Sequence, residues 1–321
     1  MVKMLFLQSA LFLASLHGIQ TLKICSFNVR SFGKSKVAKE GILDVLVKVI
    51  SRCDLMLMME IKDSRNKAFP MLMERLNNQG NGNEYEFVIS KRLGRKAYKE
   101  QYAFIYRPKL LTVKRIYQYP DHHGDIFARE PYVVWFSSRY TTVRDFVIIP
   151  QHTAPDSAVR ELNGLYDVYV EMKQRWRAKY FILMGDFNAD CEYVRRKEWP
   201  SIRLRNDTNF IWLIGDNDDT TVKHSTHCAY DRIVLRGEKL VNAVIPNSAN
   251  IFNFKEAYGM TERQALNVSD HFPVEVDLRR SRSIFYFLRS LAGPKEATFL
   301  ITMNGMRFWP SNRTSHCGHQ Q

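Results

Sequence analysis

Short apolar runs recur along most of the chain and predict a protein rich in β-strands. They cover residues 22–27, 55–59, 85–90, 102–106, 132–136, 146–149, 180–184, 232–235 and 272–278. The runs at 55–59 and 181–184 are apolar at every position, which is typical of strands covered on both faces.

Two segments between the predicted strands have the spacing of amphipathic helices. Apolar residues at 42, 45, 46 and 49 fall at i, i+3, i+4 and i+7. A longer stripe follows Pro155 and Ser157, the latter a candidate N-cap residue. It consists of Val159, Leu162, Leu165, Tyr166, Tyr169, Val170 and Trp176. The alternation predicts an α/β or α+β fold with much strand.

The chain divides into three parts. Residues 22–278 contain no linker, low-complexity tract or repeat, so one domain is expected. The first 20 residues have the layout of a secretory signal peptide, with Lys3 before an apolar stretch and small or polar residues after it. After residue 278, arginines at 279, 280 and 282 lead into an aromatic stretch without periodicity. We therefore predict a signal peptide at 1–20, a globular domain at 21–278 and a C-terminal tail at 279–321.

Composition limits the partners and the cysteine chemistry. The formal net charge of +14 favours polyanions, and no apolar run reaches the roughly 18 residues of a membrane span, so stable membrane insertion is not expected. Five cysteines without a Cys-x-x-Cys pair argue against zinc-ribbon and thioredoxin-type sites. Cys191 and Cys228 lie in polar segments that suit a disulfide. Cys25 and Cys53 lie among apolar residues and are predicted to be buried thiols.

Polar residues cluster at the ends of the predicted strands. Asn28, Glu60, His152, Asp186 and Asn188 end or follow strands, whereas Asp231, Asp270 and His271 precede them. The two groups can meet at one edge only if their strands run in opposite directions, so mixed sheets are expected. A carboxylate that ends a buried strand needs compensation, because an unpaired desolvated charge is costly.

The residue types at these strand ends suit metal-assisted phosphodiester hydrolysis. The oxygen donors of Asn28, Glu60, Asp186, Asn188 and Asp270 form a set of the kind that Mg²⁺ prefers. Two histidines add proton transfer near neutral pH, one as a base toward water and the other as an acid toward a leaving alkoxide. Any one of these residues alone is more often a turn or rim residue, and the joint pattern carries the hypothesis.

Six segments resemble, in order, the motifs of the deoxyribonuclease I family. They are Ser-Phe-Asn-Val-Arg at 26–30, Met-Glu-Ile-Lys-Asp at 59–63, Tyr-Lys-Glu-Gln-Tyr at 98–102, Met-Gly-Asp-Phe-Asn-Ala at 184–189, Cys-Ala-Tyr-Asp-Arg at 228–232 and Ser-Asp-His-Phe-Pro-Val at 269–274. The resemblance covers residues 22–278. Within that family the chain is most similar to the gamma branch, judged from residues 29–33, 47–50 and 146–150. The absence of a cysteine pair in 121–130 favours the same branch.

The resemblance implies a fold and an activity. The fold is the endonuclease/exonuclease/phosphatase fold, a four-layer α/β sandwich of two packed mixed β-sheets flanked by helices. The activity is Mg²⁺- and Ca²⁺-dependent endonucleolytic hydrolysis of DNA, with little sequence specificity and 5′-phosphate ends.

The resemblance also implies roles for individual residues. The acid–base pairs are His152 with Glu100 and His271 with Asp231, and which histidine is the base stays open. The metal and scissile-phosphate set is Glu60, Asp186, Asn188, Asp270 and Asn28. The DNA contacts are Arg30, Tyr98 and Arg129. Asp219 and Thr221 fall at a structural Ca²⁺ site, in a loop one residue longer than usual for the family. Cys191 and Cys228 match a disulfide of the family.

The expected partner is DNA, naked or in chromatin, and the protein is expected to be a monomer. It is expected to be secreted through the endoplasmic reticulum, with the nucleus as a second destination. Actin binding is not expected, because the strand at 86–89 and Tyr132 differ from the residues with which deoxyribonuclease I docks actin. Apoptotic DNA catabolism is the implied process. The alternatives are a secreted sphingomyelinase-like lipid phosphodiesterase, which needs an apolar hairpin not evident before residue 279, and a non-catalytic polyanion-binding protein.

Overall fold

The computed structural model describes residues 21–78, 84–121 and 124–281. The predicted signal peptide, the tail from residue 282 onward and the histidine pair at 122–123 lie outside the described residues. Within the described ranges, no helix is long and apolar enough to cross a membrane.

The described chain forms twelve strands and eight α-helices. The strands are β1 Thr21–Phe32, β2 Leu55–Ile61, β3 Glu86–Ile89, β4 Gln101–Tyr106, β5 Thr112–Gln118, β6 Tyr132–Ser137, β7 Asp145–Pro150, β8 Phe181–Asp186, β9 Phe210–Trp212, β10 Asp231–Arg236, β11 Asn250–Ile251 and β12 Val274–Arg279. The helices are α1 Lys34–Val37, α2 Ile42–Ser51, α3 Ala68–Asn78, α4 Ala158–Trp176, α5 Arg203–Asn206, α6 Glu238–Val241, α7 Phe254–Ala257 and α8 Glu262–Val268. Short 3₁₀ turns at Pro155–Ser157 and Trp199–Ser201 precede α4 and α5.

The strands form two six-stranded sheets. The first sheet has the order β11-β12-β1-β2-β4-β3, and the second has the order β5-β6-β7-β8-β10-β9. In the first sheet β1 is parallel to β2 and antiparallel to β12; in the second, β8 is parallel to β7 and antiparallel to β10. The prediction of mixed sheets is therefore confirmed.

Strand direction defines two edges of the sandwich. The carboxyl ends of β1, β2, β7 and β8 and the amino ends of β10 and β12 lie along one edge, which we call the polar rim. The opposite edge, where β12 ends and the β6–β7 hairpin turns, is called the far end. Six residues of strand span about 20 Å, which separates the two edges.

Apolar side chains hold four layers together. A cluster between the sheets combines residues of the first sheet, such as Leu57 and Phe104, with residues of the second, such as Phe136 and Ile182. A second cluster packs α2, α3 and α8 on the outer face of the first sheet, and a third packs α4 on the outer face of the second. The helices predicted at 42–49 and after Ser157 are α2 and α4. The four-layer sandwich is thus confirmed.

Both strands that carry Asn28 and Glu60 are irregular where these residues lie. β1 continues to Phe32 and β2 to Ile61, so Asn28 and Glu60 lie inside strands rather than after them. The β1–β2 register shifts between Asn28 and Phe32, and Glu60 has a positive φ of 57°. Such a bulge re-aims a side chain, and here it turns the Glu60 carboxylate toward Asn28.

The four cysteines of the described residues form two disulfides, whereas the sequence predicted one. Cys191–Cys228 is present as expected, with a Cα separation of 5.9 Å. The prediction of buried thiols at Cys25 and Cys53 is wrong, because these residues form a disulfide with a Cα separation of 6.1 Å. Both residues lie among apolar side chains, as expected, but the chain after α2 turns back beside β1 and brings the two sulfurs together within the outer core.

The end of β12 is tied to the β6–β7 hairpin. Thr142 N donates to Arg279 O at 3.1 Å, and Ser281 N donates to Tyr140 O at 2.8 Å. Backbone pairing between the two sheets therefore continues past residue 278, which was the predicted end of the domain.

Candidate active site

The polar rim brings together the residues that the sequence placed at strand ends. Each histidine–carboxylate pair takes one member from each sheet. Glu100 precedes β4 of the first sheet and meets His152, which follows β7 of the second. Asp231 begins β10 of the second sheet and meets His271, which precedes β12 of the first. The geometry of both pairs thus depends on how the sheets pack.

In the first pair, His152 Nδ1 lies 2.6 Å from Glu100 Oε1. The backbone N–H of His152 donates a hydrogen bond to the Tyr102 hydroxyl oxygen at 2.9 Å. Arg129 Nε is 3.2 Å from the same Glu100 oxygen and donates to His152 O at 2.8 Å. These contacts fix the ring through Nδ1 and leave Nε2 directed at the centre of the site.

In the second pair, His271 Nδ1 lies 2.6 Å from Asp231 Oδ2. Asp231 is fully buried, and its other oxygen has no hydrogen-bond partner among the described residues. The segment around Thr220 fixes the spacing, because its hydroxyl accepts the backbone N–H of Asp231 at 3.2 Å and its carbonyl accepts that of Phe272 at 2.7 Å.

Asp186, the last residue of β8, lies between the two histidines. Its Oδ2 is 3.5 Å from His152 Nε2 and 3.6 Å from His271 Nε2. Asn28 Nδ2 donates to the same oxygen at 2.9 Å, and Asn188 N donates to Oδ1 at 3.1 Å. Two imidazole nitrogens therefore lie within 3.6 Å of one carboxylate oxygen.

Glu60 lies beside this centre. Its Oε1 accepts from Asn28 Nδ2 at 3.3 Å, and its Oε2 accepts from Ser31 N at 2.8 Å and Lys62 Nζ at 2.7 Å. Asp270 lies near the second histidine, 4.0 Å from His271 Nε2 and 3.4 Å from Arg30 Nε. Asn188 is buried and donates its amide to Thr153 O at 3.0 Å. The predicted metal and phosphate set thus surrounds one small area.

Charge in this area shifts the pKa values of its members. Burial alone would raise the pKa of Glu60, but the charges of His152 and Lys62 outweigh it and hold that pKa well below its usual range. Burial and Arg129 would lower the pKa of His152, but Glu100 and Asp186 outweigh them and raise it. In the same way Asp231 and Asp186 raise the pKa of His271 against the effect of burial.

The donor set fits a hard divalent cation. Asp186, Asp231 and His271 place ligand atoms within 4.8 Å of one another. The free oxygen of Asp231 is a buried acceptor without a donor, and burial raises the pKa of that carboxyl to about 6. Carboxylate and amide oxygens of this kind suit Mg²⁺ or Ca²⁺ rather than a thiolate-seeking metal.

The predicted DNA contacts differ in exposure. Tyr98 is 80% exposed beside the rim, with Lys62 Nζ 5.3 Å from its ring centre. Arg30 is half exposed and has a positive φ of 44°. Arg129 is largely covered and is engaged with Glu100 and His152, so in this structure it supports the first pair.

Asp219 and Thr221 lie together in a separate loop near the rim. Asp219 Oδ1 accepts from Thr221 N at 2.9 Å and from Cys228 N at 3.2 Å, and Oδ2 meets His227 Nδ1 at 2.9 Å. Thr221 pairs with His271 through an isolated β-bridge. Because Asp219 is the only carboxylate of the loop in these contacts, the set fits Ca²⁺ less well than the centre does.

Sequence reasoning missed four residues that support the site. Lys62, Tyr102, Thr220 and Arg232 hold Glu60, His152, Asp231 and the segment before Asp231, respectively. Lys62, Tyr102 and Arg232 lie within the quoted motifs 59–63, 98–102 and 228–232, which was the available signal. Thr220 gave none, because a buried threonine hydroxyl has no pattern in sequence.

Comparison with known proteins gives the same assignment. The model of the Endonuclease/Exonuclease/phosphatase family matches residues 25–271. The chain is 57% identical over 277 residues to deoxyribonuclease gamma of Homo sapiens, covering 85% of this chain and 91% of that protein. It is 47% identical over 262 residues to deoxyribonuclease-1 of Equus caballus, covering 80% and 92%.

Solved structures agree on the fold. An endonuclease/exonuclease/phosphatase family protein from Leptotrichia buccalis superimposes with a TM-score of 0.57 at 18% identity, covering 80% of this chain and 99% of that chain. At that identity the likeness concerns the fold alone. Together with the sandwich and the paired histidines at its rim, the family match shows that this chain belongs to the Endonuclease/Exonuclease/phosphatase family and, within it, to the deoxyribonuclease I family.

Proposed function

We propose that this protein is a divalent-metal-dependent endonuclease that hydrolyses DNA phosphodiester bonds to 5′-phosphate ends with little sequence specificity. The observation that carries the proposal is the position of Asp186 Oδ2 between the Nε2 atoms of His152 and His271. The relatives named deoxyribonuclease gamma and deoxyribonuclease-1 support DNA as the substrate.

The two histidines supply the proton transfers. Each carboxylate partner holds its imidazole by Nδ1, so Nε2 is the atom that exchanges a proton. One Nε2 takes a proton from water, whose oxygen forms the new bond to phosphorus. The other protonates the 3′ oxygen as its bond to phosphorus breaks, which leaves the phosphate on the 5′ side.

Glu60, Asp186, Asn188, Asp270 and Asn28 would hold Mg²⁺, whereas Asp219 and Thr221 offer one carboxylate and one hydroxyl and form the weaker of the two cation sites proposed, for Ca²⁺. A bound cation supplies neutralisation of the phosphoryl oxygens in the transition state. Lys62 and Ser31 orient Glu60, and Asn28 orients Asp186, so these protein contacts set the site before substrate binds.

DNA contact at the rim suits backbone recognition. Arg30 and exposed Tyr98 flank the centre, and neither type of contact reads a unique base pattern from the minor groove. Secretion, passage through the endoplasmic reticulum and a monomeric state belong to the same proposal. The two disulfides support an oxidising destination, since such bonds persist outside the reducing cytosol.

Actin binding is not part of the proposed function. The edge strand β3 carries Phe87, which is 43% exposed and packs edge-on against Phe69 with ring centres 5.0 Å apart. Tyr132 is buried in the sandwich. Monomeric actin should leave the rate of plasmid nicking unchanged, and a stoichiometric loss of activity would contradict this.

The function is tested by plasmid nicking with the purified chain. Nicking should require Mg²⁺ or Ca²⁺ and stop in EDTA, and sphingomyelin should not be hydrolysed under the same conditions. Sphingomyelin hydrolysis without nicking would assign the site to a lipid phosphodiester. Tight DNA binding without either reaction would leave a polyanion-binding protein.

A further inference from the structure

The far end of the sandwich carries exposed cations on both sheets. Arg139 and Arg144 lie in the β6–β7 hairpin, Lys179 precedes β8, and Arg279 ends β12; all four side chains are exposed. No carboxylate of a described residue lies within 4.0 Å of their charged atoms. We call these four residues the far-end patch.

Backbone pairing makes the patch continuous. Ser138 N donates to Arg144 O at 2.6 Å, so the hairpin is closed between its two arginines. Thr142 N donates to Arg279 O at 3.1 Å, which joins that hairpin to the first sheet. β7 and β8 are parallel with Val147 opposite Phe181, so Lys179 lies beside Asp145, the neighbour of Arg144.

The carboxylates near the patch already have cationic partners. Asp145 pairs with Lys114 at 3.1 Å. Asp54 and Glu84, which also lie at the far end, both pair with Arg107, at 3.2 and 2.9 Å. The charge of the patch is thus directed to solvent, in contrast to the polar rim, where carboxylates crowd around the histidines.

We propose that the far-end patch binds the phosphate backbone of a second DNA segment, about 20 Å from the segment that is cut at the rim. Because packed sheets are about 10 Å apart, the patch covers a length over which one DNA strand carries about three phosphates. The proposal rests on the proposed function, since it takes DNA as the ligand of this surface too. Its consequence is that one chain bridges two duplexes.

The test uses the full chain in EDTA, where DNA binds without being cut. The probe is a fluorescent 10-base-pair duplex, which is far shorter than the DNA persistence length of about 150 base pairs and is therefore too stiff to bend around the domain and contact both edges at once. Sedimentation at low salt should show two duplexes per chain for the unaltered protein. The variant R139Q/R144Q/R279Q should bind one, and the salt slope of its total binding should fall by about 0.9 for each phosphate that the patch no longer neutralises.

A matched control removes the same charge elsewhere. K48Q/R75Q/R263Q alters three exposed residues of the helices on the first sheet and should still bind two duplexes. All variants should melt within a few degrees of the unaltered chain. In Mg²⁺ they should nick the short duplex as fast as the unaltered chain does.

Equal stoichiometry in patch and control variants, or one duplex on the unaltered chain, would overturn the proposal. Capture of phosphatidylserine vesicles that is abolished only in the patch variant, with DNA stoichiometry unchanged, would also overturn it by assigning the surface to a lipid. Failure of the proposed function looks different, because it removes metal-dependent nicking while binding in EDTA is unaffected.

Discussion

At the scale of single residues, the site depends on side chains that fix the positions of other side chains. Glu100 and Asp231 matter because each fixes one imidazole by its Nδ1 atom. Both pairs followed from the sequence, since Glu100, Asp231 and His271 lie in the quoted motifs and His152 follows the strand predicted at 146–149. Arg232 did not, because a cation inside an apolar strand offers no periodic signal, although its neighbour Asp231 was identified.

Arg232 is fully buried and connects the segments that carry Asn188 and Asp231. Its guanidinium donates to Ala229 O at 2.7 Å, Ile214 O at 2.9 Å and Ala189 O at 2.8 Å. Arg232→Met should leave these carbonyls without donors and destabilise the fold by several kcal/mol, since each orphaned group costs about 1–3 kcal/mol.

Thermal melting measures that destabilisation. A drop of about 10 °C or more is expected for Arg232→Met, at roughly 2–4 °C for each kcal/mol in a domain of this size. Arg195→Met is the control, because Arg195 is exposed and its ion-pair partner is Glu198, three residues along the chain. Equal melting of the two variants would show that the buried guanidinium is not needed.

The Glu100–His152 pair should make metal-free stability depend on pH. Glu100 has a lowered pKa, so its contribution is present above about pH 4.3 and is lost as the pH falls through its folded pKa. His152 has a raised pKa, so its contribution is complete below about pH 6.5 and is lost as the pH rises through its folded pKa. The pair therefore stabilises most in mildly acid solution.

Thermal melting of the His152→Ala variant in EDTA tests the direction of this pH dependence. The deficit relative to the unaltered chain should be largest near pH 5.5 and should shrink toward pH 9. His224→Ala, which alters an exposed loop residue, should show no such trend. A deficit for His152→Ala that grows with pH would contradict the assignment of the pair.

At the scale of elements, the strands and main helices were predictable because their apolar periods are regular. α2 and α4 follow the 3.6-residue stripe, and β2 and β8 follow the continuous apolar runs. The bulges around Asn28 and Glu60 were not predictable, since they depend on the register between β1 and β2. The Cys25–Cys53 bond was missed for the same reason, because it depends on where α2 ends relative to β1.

The end of β12 gives a prediction about the domain boundary. Residues 279–281 pair with the β6–β7 hairpin, so a chain ending at Ser281 should melt and nick naked plasmid like the full chain. A chain ending at Leu278 loses this pairing and should melt several degrees lower, which corresponds to about 1–2 kcal/mol. A large drop already at Ser281 would show that later residues contribute to the fold.

At the scale of the whole molecule, the two sheets together form the polar rim with the candidate active site at one edge and the far-end patch of exposed cations at the other. The rim needs both sheets, because Glu100 and His271 come from the first and His152 and Asp231 from the second. The net charge of +14 predicted a polyanion partner, but not where the charge lies. The location of the far-end patch follows only from strand direction and from the pairing of β12 with a hairpin of the other sheet.

The central claim is that two histidines share one phosphodiester centre and divide the roles of base and acid. DNA in which sulfur replaces the 3′ bridging oxygen tests it, because a thiolate leaves without needing a proton. On ordinary DNA, His152→Ala and His271→Ala should each lower the cleavage rate by about 10²–10⁴-fold. On the sulfur substrate one variant should return close to the rate of the unaltered chain and the other should not. Rescue of both variants, rescue of neither, or near-full activity of either on ordinary DNA would contradict the account.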